Sequence, residues 1–182
     1  MQIERSSFYT EEELARLGFR SYGNNVKISR LARFYGTENI SIGDNVRIDD
    51  FCILSGRIAV GSHIHISAYV ALYGSMGIVL EDYTGISPRS TIYSAMDDFS
   101  GEHLIGPIHD SSKTSVSGGK VVISRFCQIG SNTVVFPNLT VGEGTVVGAC
   151  SLVNKSLDPW GVYYGIPVVR RKERCKKVLG LI

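Results

Sequence analysis

Ile129-Gly130-Ser131-Asn132-Thr133-Val134-Val135-Phe136-Pro137 and, three residues further on, Val141-Gly142-Glu143-Gly144-Thr145-Val146-Val147-Gly148-Ala149 decide the fold of this 182-residue chain. An apolar residue returns every six positions, and a small or β-branched one stands two places before it. The same beat runs through blocks that begin at residues 26, 32, 40, 46, 52, 58, 64, 70, 78, 84, 90, 121, 127, 133, 139, 145 and 151. Their third residues are Ile28, Phe34, Ile42, Ile48, Leu54, Val60, Ile66, Leu72, Leu80, Ile86, Ile92, Ile123, Ile129, Val135, Val141, Val147 and Val153. All 17 are apolar, where a composition of 43% hydrophobic residues gives about seven by chance. The residue that follows is often glycine (Gly43, Gly61, Gly130, Gly142, Gly148), as a tight corner with unusual backbone angles would require.

Within a block the first and third residues, such as Ile64 and Ile66, point inward and the one between them outward, which is the period of a strand. Strands of about three residues at fixed spacing, without Asn-Gly or Asp-Gly hairpin pairs, do not make a meander. Three strands make one triangular coil of about 18 residues, and stacked coils make a parallel β-helix with one linear core. A β-sandwich, the alternative for short strands, requires strands of about five to six residues and variable spacing.

The 129–137 and 141–149 motifs, and the repeat over about residues 20 to 172, resemble the hexapeptide-repeat acyltransferases. The ending Asp158-Pro159-Trp160-Gly161-Val162-Tyr163-Tyr164-Gly165-Ile166-Pro167 is similar to the segment that closes the helix in acetyl-CoA-dependent sugar acetyltransferases. The galactoside and maltose type and the bacterial polysaccharide O-acetyltransferases are the nearest groups by resemblance. The resemblance implies left-handed coils, whereas general connection rules favour right-handed crossovers. It also implies an all-β, left-handed parallel β-helix that assembles as a homotrimer with active sites in the clefts between subunits.

The chain reads as one domain over residues 1–182: an N-terminal helical cap over 1–22, the β-helix over 23–157 with a protruding loop at 95–120, and a C-terminal cap over 158–182. Thr10-Glu11-Glu12-Glu13 ahead of Leu14 and Leu17 predicts a short capped helix that covers the first coil. Residues 168–178 predict a short basic helix at the other end. Chain insertions recur at one corner: two residues after block 32, two in block 70 (Gly74 to Gly77), and the 95–120 excursion after block 90. Inserts on one solenoid edge mark its working edge, or else form a surface loop. Outward residues of the second face, Ile53, Ala71, Thr91, Val134 and Leu152, make an apolar row that needs a cover.

A net charge of +2 gives no reason to expect a nucleic-acid or other polyanion partner. Cys52 and Cys127 fall on inward positions as small hydrophobes, with Cys150 at a corner and Cys175 in the tail, so no disulfide framework is expected. Met1 to Arg5 opens no apolar signal region and no run of 18 apolar residues occurs, so a soluble, cytoplasmic protein without a membrane span is expected. No phosphate loop or dinucleotide fingerprint supports ATP or NAD. A histidine-bound metal is not expected either: His63 and His65 are two apart, with one of them on an outward strand position.

Acetyl transfer from a thioester requires a nucleophile, a base and a donor to the developing oxyanion. Histidine suits the base, since its pKa near ~6.5 leaves it neutral and available. In the sugar acetyltransferases that this chain resembles, a histidine stands where Asn132 stands here, so their mechanism does not transfer unchanged. Asn132 retains amide donors that can orient an acceptor. His65, outward between Ile64 and Ile66, is then the best base, about 10 Å or two coils from Asn132, or else a solvent-facing residue. His103 and His109 lie in the loop, either at the surface or over a cleft.

Asp97, Asp98 and Glu102 in Met96-Asp97-Asp98-Phe99-Ser100-Gly101-Glu102, with His103, either bind sugar hydroxyls or form a solvated turn; this stretch resembles one in polysaccharide O-acetyltransferases. Tyr73 is a sugar-stacking candidate or a corner filler. For acetyl-CoA, the resemblance implies contacts from Ser131, Gly148, Ala149, Ser151 and Pro167 along the pantetheine arm. Lys155, Arg170 and Arg171 are candidates for its phosphates. The reading is an acetyl-CoA-dependent O-acetyltransferase acting on a sugar or polysaccharide precursor. One alternative is a nucleotide-amino-sugar N-acetyltransferase, which Asn132 favours because an amine needs less help from a base; the other is a non-catalytic trimeric scaffold.

Overall fold

The computed structural model of the protein describes residues 7–182, so the expectation drawn from Met1 to Arg5 lies outside the described residues. The chain forms an all-β, left-handed parallel β-helix of about seven coils. One face stacks strands Lys27–Ile28, Val46–Ile48, Ile64–Ile66, Gly85–Ile86, Gln128–Ile129, Val146–Val147 and Gly161–Gly165 in parallel. The other two faces merge into a ten-stranded sheet, because Ile53–Val60 and Ala71–Leu80 each run unbroken round the corner between them. The second face has the predicted row, with Ile53, Ala71, Thr91, Val134 and Leu152 in register and all half-buried.

Of the 17 repeat residues, 16 are buried, several of them fully. Phe34 is half-buried and packs edge-on against Phe19 at 5.0 Å, where the first coil meets the cap. Each coil donates backbone hydrogen bonds to the next, as Ser87 N does to Ile129 O (2.8 Å) and Gly130 N to Val147 O (2.8 Å). Inward hydroxyls do the same: Ser90 Oγ donates to Gly130 O at 2.9 Å, and Thr133 Oγ1 to Gly148 O at 3.2 Å. Cys52 and Cys127 are buried free thiols, with Sγ 3.0 Å from Ser67 O and 3.1 Å from Gly142 O respectively. Burial pushes their pKa values up to about 11 and about 12, which keeps both unreactive at neutral pH.

The glycines of the motif serve a purpose other than the expected one. Gly43, Gly61, Gly130, Gly142 and Gly148 are absent from the positive-φ residues. They are glycine because the next coil lies against them: a β-carbon at Gly130 would sit 2.6 Å from Ala149 N, and one at Gly142 2.7 Å from Pro159 N. The left-handed angles come two residues later, at Asn45, His63, Asn132, Gly144 and Cys150. Among the described residues twelve non-glycine residues carry them, an uncommon load for L-residues. The ring-bearing ones contact each other from coil to coil in compensation. Along one corner Asn25 bonds Asn45 (2.9 Å), His63 stacks on Tyr83 (4.7 Å) and Tyr83 on Phe126 (5.2 Å), with Trp160 and Lys176 beyond.

At the start, helix Glu11–Arg16 has the predicted reciprocal cap between Thr10 and Glu13 and buries Leu14 over the first coil. The C-terminal helix predicted over 168–178 is not formed. Val168–Glu173 is a strand that pairs antiparallel with Gly161–Gly165, and a short 3-10 turn follows at Lys177–Gly180. The last coil would otherwise end on unpaired N–H and C=O groups. A returning strand satisfies them directly, and the β-branched pair Val168 and Val169 suits it.

Leu72 is fully buried at mid-solenoid, so Leu72→Ala should lose about 2–5 kcal/mol of stability in chemical denaturation. Gly130→Ala should cost about 1–3 kcal/mol through the clash with the next coil. Gly180→Ala, with nothing within 4 Å of the added carbon, should leave the midpoint unchanged.

Candidate functional site

The excursion after block 90 builds a cavity of about 610 Å³. Strands Ala95–Asp97 and Val116–Gly118 pair antiparallel and hold the loop upright beside the solenoid corner. Ser94, fully buried, knits the loop to the smaller insertion: Met76 N donates to its Oγ (2.9 Å) and that hydroxyl donates to Tyr73 O (2.9 Å). Gly119 N donates to Ser94 O (2.9 Å), which draws the returning strand to the same point. Gly118 is required there, because a β-carbon would lie 2.3 Å from Ser94 O.

One wall of the cavity is a row of outward side chains, where Ser55, Tyr73 and Tyr93 occupy equivalent positions on successive coils. The rings of Tyr73 and Tyr93 stack 5.3 Å apart at 13°. Phe136 continues that row on the following coil, Gly56 and Gly74 lie beside it, and Phe99 and Val116 bring apolar surface from the loop. Asp97 is the one carboxylate on the lining. Among the described residues no hydrogen bond or ion pair engages its side chain, whereas its neighbour Asp98 is fully occupied. Asp98 accepts from Ser100 N (2.9 Å) and Ser100 Oγ (2.8 Å) and pairs with His103 Nδ1 (2.9 Å). Those bonds, led by the Ser100 amide, lower its pKa to about 2.

Thus Tyr73 and Asp97 meet in the cavity, while Asp98, Glu102 and His103 lie in the loop turn outside its lining. Tyr93, Phe99 and Phe136 were not among the sequence candidates. Tyr93 was legible in principle, one coil on from Tyr73, but Phe99 reaches the cavity only through the fold of the loop.

His65 projects outward as expected, with its Nε2 2.7 Å from Asp49 Oδ2, and it does not line the cavity. Burial works against ionisation of Asp49, but the bonds from Arg47 (2.7 Å) and His65 outweigh it and lower its pKa. Asn132 is exposed at a corner, in the column of Phe51, Tyr69, Arg89 and Cys150, and lies outside the strand row of His65, Gly85 and Gln128. The structure therefore does not bring His65 and Asn132 together.

The coenzyme candidates gather round the last two coils. Cys150 N donates to Ser131 O at 2.8 Å, and Gly165 N to Ser151 Oγ at 3.2 Å. Gly148 gives close access to Tyr164, over whose ring Arg171 lies at 4.8 Å. Pro167 forms the turn between the two final strands, Ala149 O lies 3.4 Å from Ser151 Oγ, and Lys155 is exposed. Arg170 is already paired with Glu173 at 2.7 Å. Among the described residues no group of three or more His, Cys, Asp or Glu is placed to hold a metal ion, and no helix is long and apolar enough to cross a membrane.

No protein-family model matches the chain. It is 40% identical over 178 residues, 96% of this chain and 93% of the relative, to the dTDP-4-amino-4,6-dideoxy-D-glucose acyltransferase of Escherichia coli. AntD, an N-acyltransferase from Bacillus cereus solved in complex with dTDP and 3-hydroxybutyryl-CoA, superposes with a TM-score of 0.95 at 49% identity, covering 97% of this chain and 95% of that one. Further AntD structures carry a single substitution at a serine or an aspartate, with coenzyme A and either dTDP or dTDP-4-amino-4,6-dideoxyglucose. The hexapeptide-repeat acetyltransferase VCA0836 of Vibrio cholerae, at 20% identity, TM-score 0.65 and coverage of 94% and 84%, shares the fold. With two-fifths of its residues matched along nearly the whole of one acyltransferase, and a solenoid that overlays another, the chain belongs to the hexapeptide-repeat acyltransferase superfamily.

Proposed function

We propose that the protein transfers an acyl group from acyl-CoA to the amino group of a dTDP-linked 4-amino-4,6-dideoxy sugar. Support comes first from the near full-length similarity to two enzymes that carry this description or bind these compounds. The observation that carries the reading is a single unpartnered carboxylate, Asp97, in a cavity walled by tyrosines. The Tyr73 and Tyr93 rings give a sugar an aromatic wall to pack against, and a carboxylate is the natural partner for an amine. The expectation of a hydroxyl acceptor thereby gives way to the amine alternative.

The relative's substituted aspartate lies ten positions after its substituted serine. This chain has two such pairs, Ser87 with Asp97 and Ser100 with Asp110. The first needs a shift of three positions against the relative and the second sixteen, and the two chains cover each other almost end to end. Ser87 and Asp97 are therefore the pair assigned here.

In the reaction, Asp97 accepts a hydrogen bond from the amine, aims its lone pair at the thioester carbonyl and takes its proton as the N–C bond forms. The C–S bond then breaks, the proton passes to the thiolate, and an amide and a free thiol remain. The pantetheine arm lies along Ser131, Gly148, Ala149 and Ser151, near Pro167, with Lys155 and Arg171 as candidates for its phosphates.

Ser87 and Asp97 stand beyond opposite ends of the second face, whose Ser90–Ser94 stretch alone spans about 13 Å at 3.3 Å per residue. A homotrimer packed on the half-buried row Ile53, Ala71, Thr91, Val134 and Leu152 brings the Ser87 edge of one copy to the cavity of another.

Purified protein with dTDP-4-amino-4,6-dideoxyglucose and acetyl-CoA or 3-hydroxybutyryl-CoA should release free thiol; release with hydroxyl-only sugars and none with the amine would refute the reading. Asp97→Asn should lower kcat by about 10²–10⁴-fold with acyl-CoA binding retained, while His65→Ala keeps wild-type turnover. Light scattering should give three times the mass of the chain, and a monomer would remove the shared-cleft site.

A further inference from the structure

Gln128 stands directly opposite Gly85 on the next coil, and its side chain lies flat across that glycine. A β-carbon at position 85 would sit 2.3 Å from Gln128 Oε1. The amide thereby reaches the corner, where Nε2 donates to Ser87 Oγ at 2.9 Å and makes a second, longer contact with Ile129 O at 3.4 Å. A carbonyl partner accepts only from a donor, so the NH₂ group is the end that faces Ser87. A serine hydroxyl has one donor and two acceptor positions. With an acceptor position filled by Gln128, its O–H is turned away from the protein amide.

The surroundings say where that O–H leads. The outward position of Ser87 is taken on the next two coils by Gly130 and Gly148, each donating its backbone N–H to the coil beyond. Neither glycine has room for a side chain. The strip is therefore bare for two coils, about 10 Å, and the half-buried Ser87 hydroxyl is the first side-chain group at its end. A pantetheine arm laid along Gly148 and Gly130 delivers its thioester to that hydroxyl.

We infer that Gln128 is a positioning residue: across Gly85, it holds the Ser87 hydroxyl as a donor to the thioester carbonyl oxygen. This rests on the acyl-transfer reading above. As the amine attacks, the carbonyl π pair moves onto oxygen and the Ser87 O–H stabilises it. The pair then returns, the C–S bond breaks, and the thiolate takes the proton lost by the amine. No atom of Gln128 is consumed.

The test is a double-mutant cycle with kcat and KM measured separately for Ser87→Ala, Gln128→Met and the double variant, each with its melting temperature. Methionine fills the same space over Gly85 without the donor. Ser87→Ala and Gln128→Met should each lower kcat by about 10–10³-fold, the range of a lost oxyanion donor or of its misalignment, with the KM for acyl-CoA little changed. The double variant should match Ser87→Ala alone, because both changes remove one interaction. Gln128→Glu should lose kcat as pH rises, since an ionised carboxylate would draw the Ser87 proton inward.

Wild-type kcat in Gln128→Met, or a double variant whose loss is the product of the two single losses, would overturn the inference. So would a lowered melting temperature with unaltered kcat, or an unaffected Ser87→Ala. The unmodified enzyme separates the two levels: if it fails to acylate any amino-sugar nucleotide, the parent reading falls; if it turns over and Gln128→Met equals it, this inference falls alone.

Discussion

Hydrogen bonding between stacked coils at strand separation is the interaction on which everything else in this molecule depends. Each coil must present its backbone groups within about 5 Å of the next, and every residue type in the repeat answers to that distance. Inward positions take Ile, Leu and Val because a triangular section leaves space for aliphatic stacks. Gly130, Gly142 and Gly148 are bare because the next coil occupies the place of their side chains. Corners then turn through left-handed angles two residues later. Side chains there stand above one another, so His63, Tyr83 and Phe126 recover through ring stacking some of what the backbone angle costs.

Outward rows repeat and inward rows are filled, so the cavity of about 610 Å³ forms where the chain leaves the helix. The insertions do this together: the 74–77 bulge and the 95–120 excursion are tied by Ser94, whose hydroxyl and carbonyl serve both. Tyr73 and Tyr93, identical residues on successive coils, become a stacking wall only because the loop rises opposite them. The same coil spacing lays Gln128 across Gly85 and so reaches Ser87.

The acidic residues of the loop illustrate how environment divides like groups. Asp97 and Asp98 are adjacent in sequence and point to opposite faces of one short strand and its extension. Asp98 is spent on its own turn, held ionised by Ser100 and His103, and Asp97 is left to the cavity. His65 is similarly committed, to Asp49. A carboxylate in the cavity, without a histidine on its lining, suits an amine better than a hydroxyl, because an amine needs its proton taken late and a hydroxyl needs it taken early.

Sequence alone determined the β-helix, its coil length, the inward residues and the register of the second face, because each follows from the six-residue period. It also determined the Thr10 and Glu13 cap, a contact spanning three residues. Where several elements had to be placed together, the reading fell short. The closing segment 168–178 looked helical by its charges, yet Val168–Glu173 became a strand, since the unpaired edge it meets lies in the final coil and is absent from its own residues. Glycines that seemed chosen for their backbone angles were chosen for space, which only the neighbouring coil defines. Phe99 and Asp97 joined Tyr73 because a hairpin folded back over the corner, and no periodicity encodes the path of a loop. Repetition is legible because every coil restates it; a site made once, from segments that leave the repeat, is decided by the tertiary packing that brings them back.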